Sequence, residues 1–472
     1  MTRAVLGLDL GTSEAKAGLF DFEGRPLGIV RRPCPIEIGP DGRAEQDPAA
    51  WWRALAGAVR GLDMTGVELV AICGVGQGPT LAALDAEARP VRAAITWQDR
   101  RVGATGFGLL PRLAWLARAD PDAVAAARWL LGSWDALGLW LTGRAATALQ
   151  AHETPLEIDA LRASGVDPER IPPPIAVGAV LGDLRPAAAE RLGLPPGIPV
   201  VAGVNDGTAS MLGAGLLSPG DAVDTGGASG GFGVYVDRPV ELPGTFSAPA
   251  PIDGRWVVGG AMASTGAALT WLRDALLGGR WTLDELETEA AALPPGADGL
   301  IFLPYLAGER APIFDRLARG AFVGLTLGHA RGHLARAVLE AAAYAIRHVA
   351  EPILAAGVPV TELRLAGGPA RSDLWARIKA DVTGFPVAIP RVGETALLGA
   401  AILAAVGAGV ISDRVAAVRQ MTRIERRMAP DPEAHRRYGP LFGVYRSLYP
   451  ALAPSFAELA AISGAGPAGP GA

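Results

Sequence analysis

The sequence predicts an α/β protein built from two copies of one unit, with a cleft between the copies. Three observations carry this expectation. The chain has 472 residues, more than a single hydrophobic core organises, so two domains of roughly 200 residues each are expected. Apolar runs of strand length alternate with helix-patterned segments, as at 198–215 and 362–384, which read as strand, glycine turn, helix. The opening pattern "LGLDLGTSEAKAGLF" returns about 215 residues later as "DAVDTGGASGGFGVYV". In each, an apolar strand ends in an aspartate (Asp9 or Asp224), a turn of small residues follows, and an apolar strand resumes. The Pro- and Gly-rich stretch 238–258 marks the boundary, giving domains at 1–245 and 246–462 and a disordered tail at 463–472.

The elements follow in order. Residues 4–9 and 15–21 have strand character, and "FEGRP" (22–26) makes a hairpin turn in which Gly24 is free to take positive φ. Trp51, Leu55, Val59 and Leu62 recur at helical spacing, and Asp47-Pro48 starts that helix. Residues 67–77 form a β-rich run, and "AAITWQDRR" (93–101) is an apolar run with a polar end. Residues 112–141 are helical in pattern. The prolines at 163–182 argue for loop. A helix is expected at 261–278, the longest at 333–354, and one at 394–409 that ends in Gly.

Composition narrows the function. Half the residues are hydrophobic and 19% are charged, the balance of a compact globular protein. A net charge of −5 without any basic run argues against nucleic acid or an anionic membrane surface as partner. Cys34 and Cys73 lack paired spacing, which fits a reducing cytoplasm. No signal peptide or membrane-spanning run is expected, and the five His are scattered.

The opening loop asks for a ligand. A strand-to-strand turn does not need Asp9, Gly11, Thr12 and Ser13 together, whereas a phosphate does. Its oxygens take backbone N–H groups at close approach, which Gly allows, and hydroxyl donors. Asp9 then suits Mg²⁺ or its water shell. An ordinary tight turn is the alternative. The second copy, Gly226-Gly227-Ala228-Ser229, would hold phosphates from the other side. Asp206 falls on a tight strand-to-helix turn, as either a helix N-cap or a general base. Gly367, Gly368 and a helix starting near Ser372 offer a dipole to an adenosine or α-phosphate group, or form a plain left-handed turn.

The stretches "GLDLGTSEAKAGLFD", "AEQDPAAWW", "TWQDRR", "VVAGVNDGTASMLGAG", "FLPYLAGERAP", "RGAFVGLT" and "LRLAGGPARSDLWARIKADVTGFPV" resemble the FGGY family of carbohydrate kinases. They stand in that family's order and span residue 4 to about 409. The resemblance implies two actin-like (ribonuclease H-like) domains with a central cleft. The N-terminal one serves sugar and phosphate, the C-terminal one the nucleotide. It implies an ATP- and Mg²⁺-dependent, xylulokinase-like kinase acting on a small sugar, most simply a ketopentose such as xylulose. Ribulose or a tetritol, or a non-catalytic ATP and sugar sensor, are the alternatives. It leaves a homodimer open.

By the same resemblance Asp206 is the catalytic base. Gln77, Gly78, Trp97, Gln98, Asp99 and Asn205 surround the substrate. Asp9 is the metal residue. Gly11, Thr12, Ser13, Lys16, Gly226, Gly227, Ala228, Ser229, Gly260, Gly367, Gly368 and Ser372 face the nucleotide, while Lys16 alternatively serves as a solvated edge charge. The sequence departs from the family at two places. Ala228 stands where most relatives carry Thr, with Ser229 or Thr225 as substitutes. Gly78-Pro79 replaces the Arg-Glu of glycerol-type relatives and the Met-His of xylulose-type ones. The usual specificity side chains are therefore missing for both, so glycerol is not the expected substrate and xylulose is not secured. Glu309-Arg310 reads as a structural ion pair.

Overall fold

A computed structural model describes residues 1–462 apart from Pro40, 103–107, His152, Thr154 and Asp253. The tail expected to be disordered, 463–472, lies outside the described residues. The chain divides into two units. The first takes Met1–Leu217, Pro249–Gly254 and Glu394–Arg423; the second takes Ser218–Ala248, Arg255–Gly393 and Ile424–Ala472.

A six-stranded sheet centres the first unit, with Val180–Asp183, Pro199–Val201, Val67–Gly76, Thr2–Leu10, Glu14–Phe20 and Pro26–Pro33 side by side in that order. The opening strand runs parallel to Val67–Gly76 and antiparallel to Glu14–Phe20. Residues from Val5 to Leu10 are buried, as a central strand covered on both faces requires. The helix Thr395–Gly407 lies on this sheet. A Cβ on Gly7 would stand 2.5 Å from the Leu397 carbonyl oxygen, so only Gly lets the helix come this close. The same helix meets Asp206–Gly213 backbone to backbone: Cβ atoms on Gly399 and Gly213 would lie 2.0 Å from Ala209 O and 1.9 Å from Thr395 O. Small residues in "GTASMLGAG" and "ETALLGAA" thus fix the Asp206 helix against the helix that lies on the sheet.

The second unit repeats the plan. Asp221–Asp224 pairs antiparallel with Gly230–Val236 and parallel with Glu362–Leu365, inside a seven-stranded sheet. The helix Arg331–Ala355 covers it, with Ile346, Val349 and Ile353 in the core beside Phe232, Val258 and Leu363.

Several expectations are corrected. The segment 112–141 is not one helix. Helices Leu110–Ala119 and Pro121–Ala126 are followed by a strand, Trp129–Gly132, before the helix Ser133–Thr142. That strand pairs with Leu81–Leu84, a partner far away in sequence that overrides the local helical pattern. The proline-rich stretch holds two short strands, Pro174–Ala176 and Val180–Asp183. Helix begins at Gly266 rather than 261, because the strand Trp256–Met262 occupies those residues. The longest helix is Pro432–Ile462, not the one at 333–354.

Candidate active site

The first loop is built by strand register. Lys16 lies directly across from Asp9 in the antiparallel pair, so the two side chains share one face. Asp9 is 3% exposed. Its Oδ2 stands 3.4 Å from Lys16 Nζ, and its Oδ1 is buried without a partner. Lys16 also meets Glu394 at 3.0 Å, and Glu394 accepts from Arg31 at 2.6 Å. Burial pulls the Lys16 amine down, but Asp9 and Glu394 outweigh it and hold it charged. Burial alone would raise Glu394; Lys16 and Arg31 bring it down to about 2. Burial pushes the Asp9 carboxyl up, and Lys16 offsets this only in part.

Asp206 opens the helix Asp206–Gly213, but it is not the cap. Asn205 is, its Oδ1 accepting from the Thr208 N–H at 2.9 Å. The capping role that the sequence left open for Asp206 therefore belongs to its neighbour. Asp206 accepts instead from the N–H of Gly207 at 2.8 Å and from that of Gly78. It keeps some exposed surface although protein surrounds its carboxyl closely. Burial, reinforced by the charge of Asp9, pushes that carboxyl up to about 7, with the two N–H groups and Lys16 pulling the other way.

Of the expected sugar-side residues, the structure gathers Gly78 and Asn205 around Asp206. A Cβ on Gly78 would meet Asn205 Cβ at 2.9 Å and the Trp134 ring at 3.0 Å. Trp97 is tied to the first loop, its Nε1 donating to Thr12 Oγ1 at 2.9 Å, with Gln98 next to it. Gln77 is fully buried. Trp51 Nε1 donates to Gln46 Oε1, which fixes that amide, and Gln77 Nε2 donates to the same oxygen. Gln77 Oε1 is left without a partner. Asp99 is held inside a buried ion cluster: its carboxylate accepts from Ala44 N at 3.1 Å and from Arg101 N and Nε at 3.0 Å each. Gly11 closes the first turn by its own N–H to Glu14 O, and Ser13 is exposed beyond it.

In the second unit Asp224 is 2% exposed, and both its oxygens are engaged. Oδ2 accepts from Lys379 Nζ and Oδ1 from Gly226 N at 3.0 Å. Gly226 and Gly227 take φ of 60° and 90°. Gly227 and Ala228 are exposed, Ser229 half-exposed. The turn is backed by Thr265 N and Ala267 N, which donate to Ala228 O at 3.2 and 2.9 Å. Gly367 has φ of 64° and Gly368 has open space where a Cβ would be. Ser372 caps the helix Asp373–Thr383 through Trp375 N and donates to Glu287, so its hydroxyl is occupied within the protein. Gly260 is a correction. It is buried in its strand, and a Cβ there would strike Ala311 and Val349, so its smallness serves packing. The Glu309 carboxylate accepts from the N–H groups of Ala263 and Arg310, both at 2.7 Å.

Sequence reasoning missed Glu394, Lys379, Trp134 and the Gly78 N–H. Only Glu394 carried a local signal, a lone carboxylate just before a small-residue helix.

Two α/β units, each organised on a strand–Asp–turn–strand loop, are of the actin-like (ribonuclease H-like) fold. Comparison with known proteins narrows the class. The N-terminal domain of the FGGY family of carbohydrate kinases matches residues 4–106, and its C-terminal domain matches 223–408. The chain belongs to this family and is a sugar kinase, transferring phosphate from ATP to a hydroxyl. It is 27% identical to a gluconokinase of Bacillus subtilis, over 98% of both chains. It is 32% identical to a glycerol kinase of Thermus brockianus, over 92% of this chain and 95% of that one. The crystal structure of a xylulose kinase from Rhodospirillum rubrum aligns with a TM-score of 0.79 at 30% identity, covering 96% of this chain and all (100%) of that one.

Proposed function

We propose that this kinase phosphorylates a ketopentose such as xylulose on a primary hydroxyl, with Asp206 as general base. The observation that carries the reading is the placement of Asp206. Its cap duty is taken by Asn205, two backbone N–H groups orient its carboxyl, and burial, reinforced by the charge of Asp9, raises its pKa to about 7. A base with a pKa close to the working pH both exists ionised and accepts a proton effectively. Asp206 would take the hydroxyl proton as the oxygen attacks the γ-phosphorus of ATP. Lys16, and N–H and hydroxyl groups of the two small-residue turns, would bind phosphate oxygens, and Trp97 and Asn205 would border the sugar.

Mg²⁺ fits the first loop. Asp9 Oδ1 is a buried carboxylate oxygen without a protein partner, and Mg²⁺ takes one or two carboxylates beside phosphate oxygens. Bound with ATP, it would neutralise charge on the transferred phosphate. Cys34 and Cys73 are free and buried, as a reducing cytoplasm would keep them, and among the described residues no helix is long and apolar enough to cross a membrane. Xylulose is favoured by the full-length likeness to a xylulose kinase; Gly78-Pro79 lacks the donors of glycerol-type and of xylulose-type relatives alike, so it disfavours glycerol without selecting xylulose, and ribulose or a tetritol is the next choice.

The test is Asp206→Asn, assayed by ADP release over a sugar panel that includes xylulose, ribulose, erythritol, gluconate and glycerol. Asn keeps an oxygen to accept the Gly207 N–H but cannot take the proton. Turnover should fall by roughly 10² to 10⁴, with ATP and sugar binding retained. Near-normal turnover places the base elsewhere. Efficient use of glycerol overturns the substrate assignment.

A further inference from the structure

The first unit holds a pocket that the reaction does not use, largely apolar but with a polar amide in its wall. It is a cavity of about 400 Å³, lined by Leu149, Gln150, Ala151, Pro174, Ile175, Ala176 and Arg414. The paired strands Thr147–Leu149 and Pro174–Ala176 form its floor. Arg414 anchors the rim, donating to the carbonyl oxygens of Val177 and, at 2.8 Å, Pro251.

Gln150 is the anomaly. It is 7% exposed, and neither its Nε2 nor its Oε1 has a partner. A buried amide with both ends unmet is costly, since each unsatisfied group loses the hydrogen bonds that water gave it. The backbone N–H of Gln150 is already satisfied by Glu153 at 2.9 Å, so the defect lies in the side chain alone.

The chemistry of the amide selects the ligand. It offers donors and an acceptor side by side. A carboxylate would satisfy Nε2 but set negative charge against Oε1, and a cation would do the reverse. A vicinal pair of hydroxyls satisfies both. Leu149, Pro174, Ile175 and Ala176 supply an apolar wall for the C–H face of a sugar chain. A purine could also pair with an amide, but among the described residues no aromatic side chain lines the pocket to stack on it. The volume suits a small molecule of five or six carbons.

We propose that this pocket is a polyol-binding site of its own, in which the Gln150 amide holds two neighbouring hydroxyls of an acyclic sugar alcohol or ketose. The choice of polyol as ligand class rests on the sugar-kinase reading; the existence of the site rests on Gln150.

The experiment is titration calorimetry of the full-length, nucleotide-free enzyme with xylitol, and separately with adenine. Gln150→Leu should bind xylitol about tenfold more weakly than wild type, the worth of two neutral hydrogen bonds. Gln150→Glu, which keeps the volume and loses both donors, should also weaken it; if Gln150→Leu does not fold, this variant carries the measurement. Unchanged xylitol affinity in the folded variants overturns the proposal, because the polyol would then bind only beside Asp206. Binding of adenine instead of xylitol, or of neither, overturns it as well. ADP release by the wild type is measured apart, so the kinase assignment can fail while xylitol binding at Gln150 stands.

Discussion

In the first unit the strand-ending carboxylate, Asp9, has one oxygen beside Lys16 and the other without a partner. In the second unit Asp224 sits at the corresponding place, with one oxygen on Lys379 and the other on the N–H of Gly226. The two loops descend from one pattern of strand, aspartate, small-residue turn and strand, yet the carboxylates have different work. Lys16 is shared between Asp9 and Glu394, keeps 21% of its side-chain surface and has a third N–H donor beyond these two. Lys379 is 1% exposed and lies over the Trp375 ring. A buried carboxylate with one oxygen unpartnered near a partly exposed lysine suits a ligand; one with both oxygens engaged suits a fold. The two loops share one pattern, but in the second the aspartate itself is engaged on both oxygens within the fold.

Separating activity from stability tests this contrast most directly. Asp9→Asn should lower turnover with Mg-ATP by about a hundredfold, the loss expected when a metal-assisted charge contact is removed. The melting temperature should barely change, because burial already disfavours this carboxylate. Kinetics and a thermal melt on the same preparation check both halves. Lys379→Met should do the opposite. Breaking a fully buried pair leaves Asp224 uncompensated and costs about 3 kcal/mol, read from chemical denaturation, while the protein that remains folded works normally. A silent Asp9 variant, or an Asp224–Lys379 pair whose loss leaves stability intact, would break the comparison.

A smaller effect sharpens it through pH. The folded-state pKa of Asp206 is raised from 3.8 to about 7. The native state therefore binds more protons than the unfolded chain between these values, and this group's stabilising contribution is lost as pH rises through about 7. Turnover runs the other way, rising as the base ionises. Asp206→Asn should flatten the stability profile between pH 4 and pH 8 and melt slightly above wild type at the upper end. A stability profile identical in both proteins would remove the case for a raised Asp206.

What could be read from the sequence was whatever lay close together along the chain. The repeated loops, Asp206 on its turn and the glycine before the helix at 373 each fit within a dozen residues. What escaped was assembled from distant segments. Glu394 reaches Lys16 and Lys379 reaches Asp224, and no spacing rule links such pairs. Gly78 was visible as a missing side chain but not as an N–H donor to Asp206 with the Trp134 ring over it. The helix Pro432–Ile462 was hidden by Pro440, Pro450 and Pro454 inside it, residues that ordinarily signal an end. The strand Trp129–Gly132 was hidden in a helical pattern because its identity comes from pairing with Leu81–Leu84.

The smallest expected effect concerns the turn of the second loop. Ala228 is exposed, and its carbonyl is fixed by the N–H groups of Thr265 and Ala267. The backbone there is held independently of its side chain, so a larger residue should leave the turn in place. If the exposed turn faces the phosphates of ATP, Ala228→Thr adds a hydroxyl donor without disturbing Asp224 or Gly226. One added hydrogen bond at an exposed position is worth about 1 kcal/mol, a few-fold in affinity. We expect the KM for ATP to fall by that factor, with kcat and the melting temperature unchanged. No change would mean that the backbone N–H groups of Gly227 and Ser229 already meet the phosphate. A large loss would mean that the turn needs its small residue for close approach, and the second loop would then resemble the first more than its closed aspartate suggests.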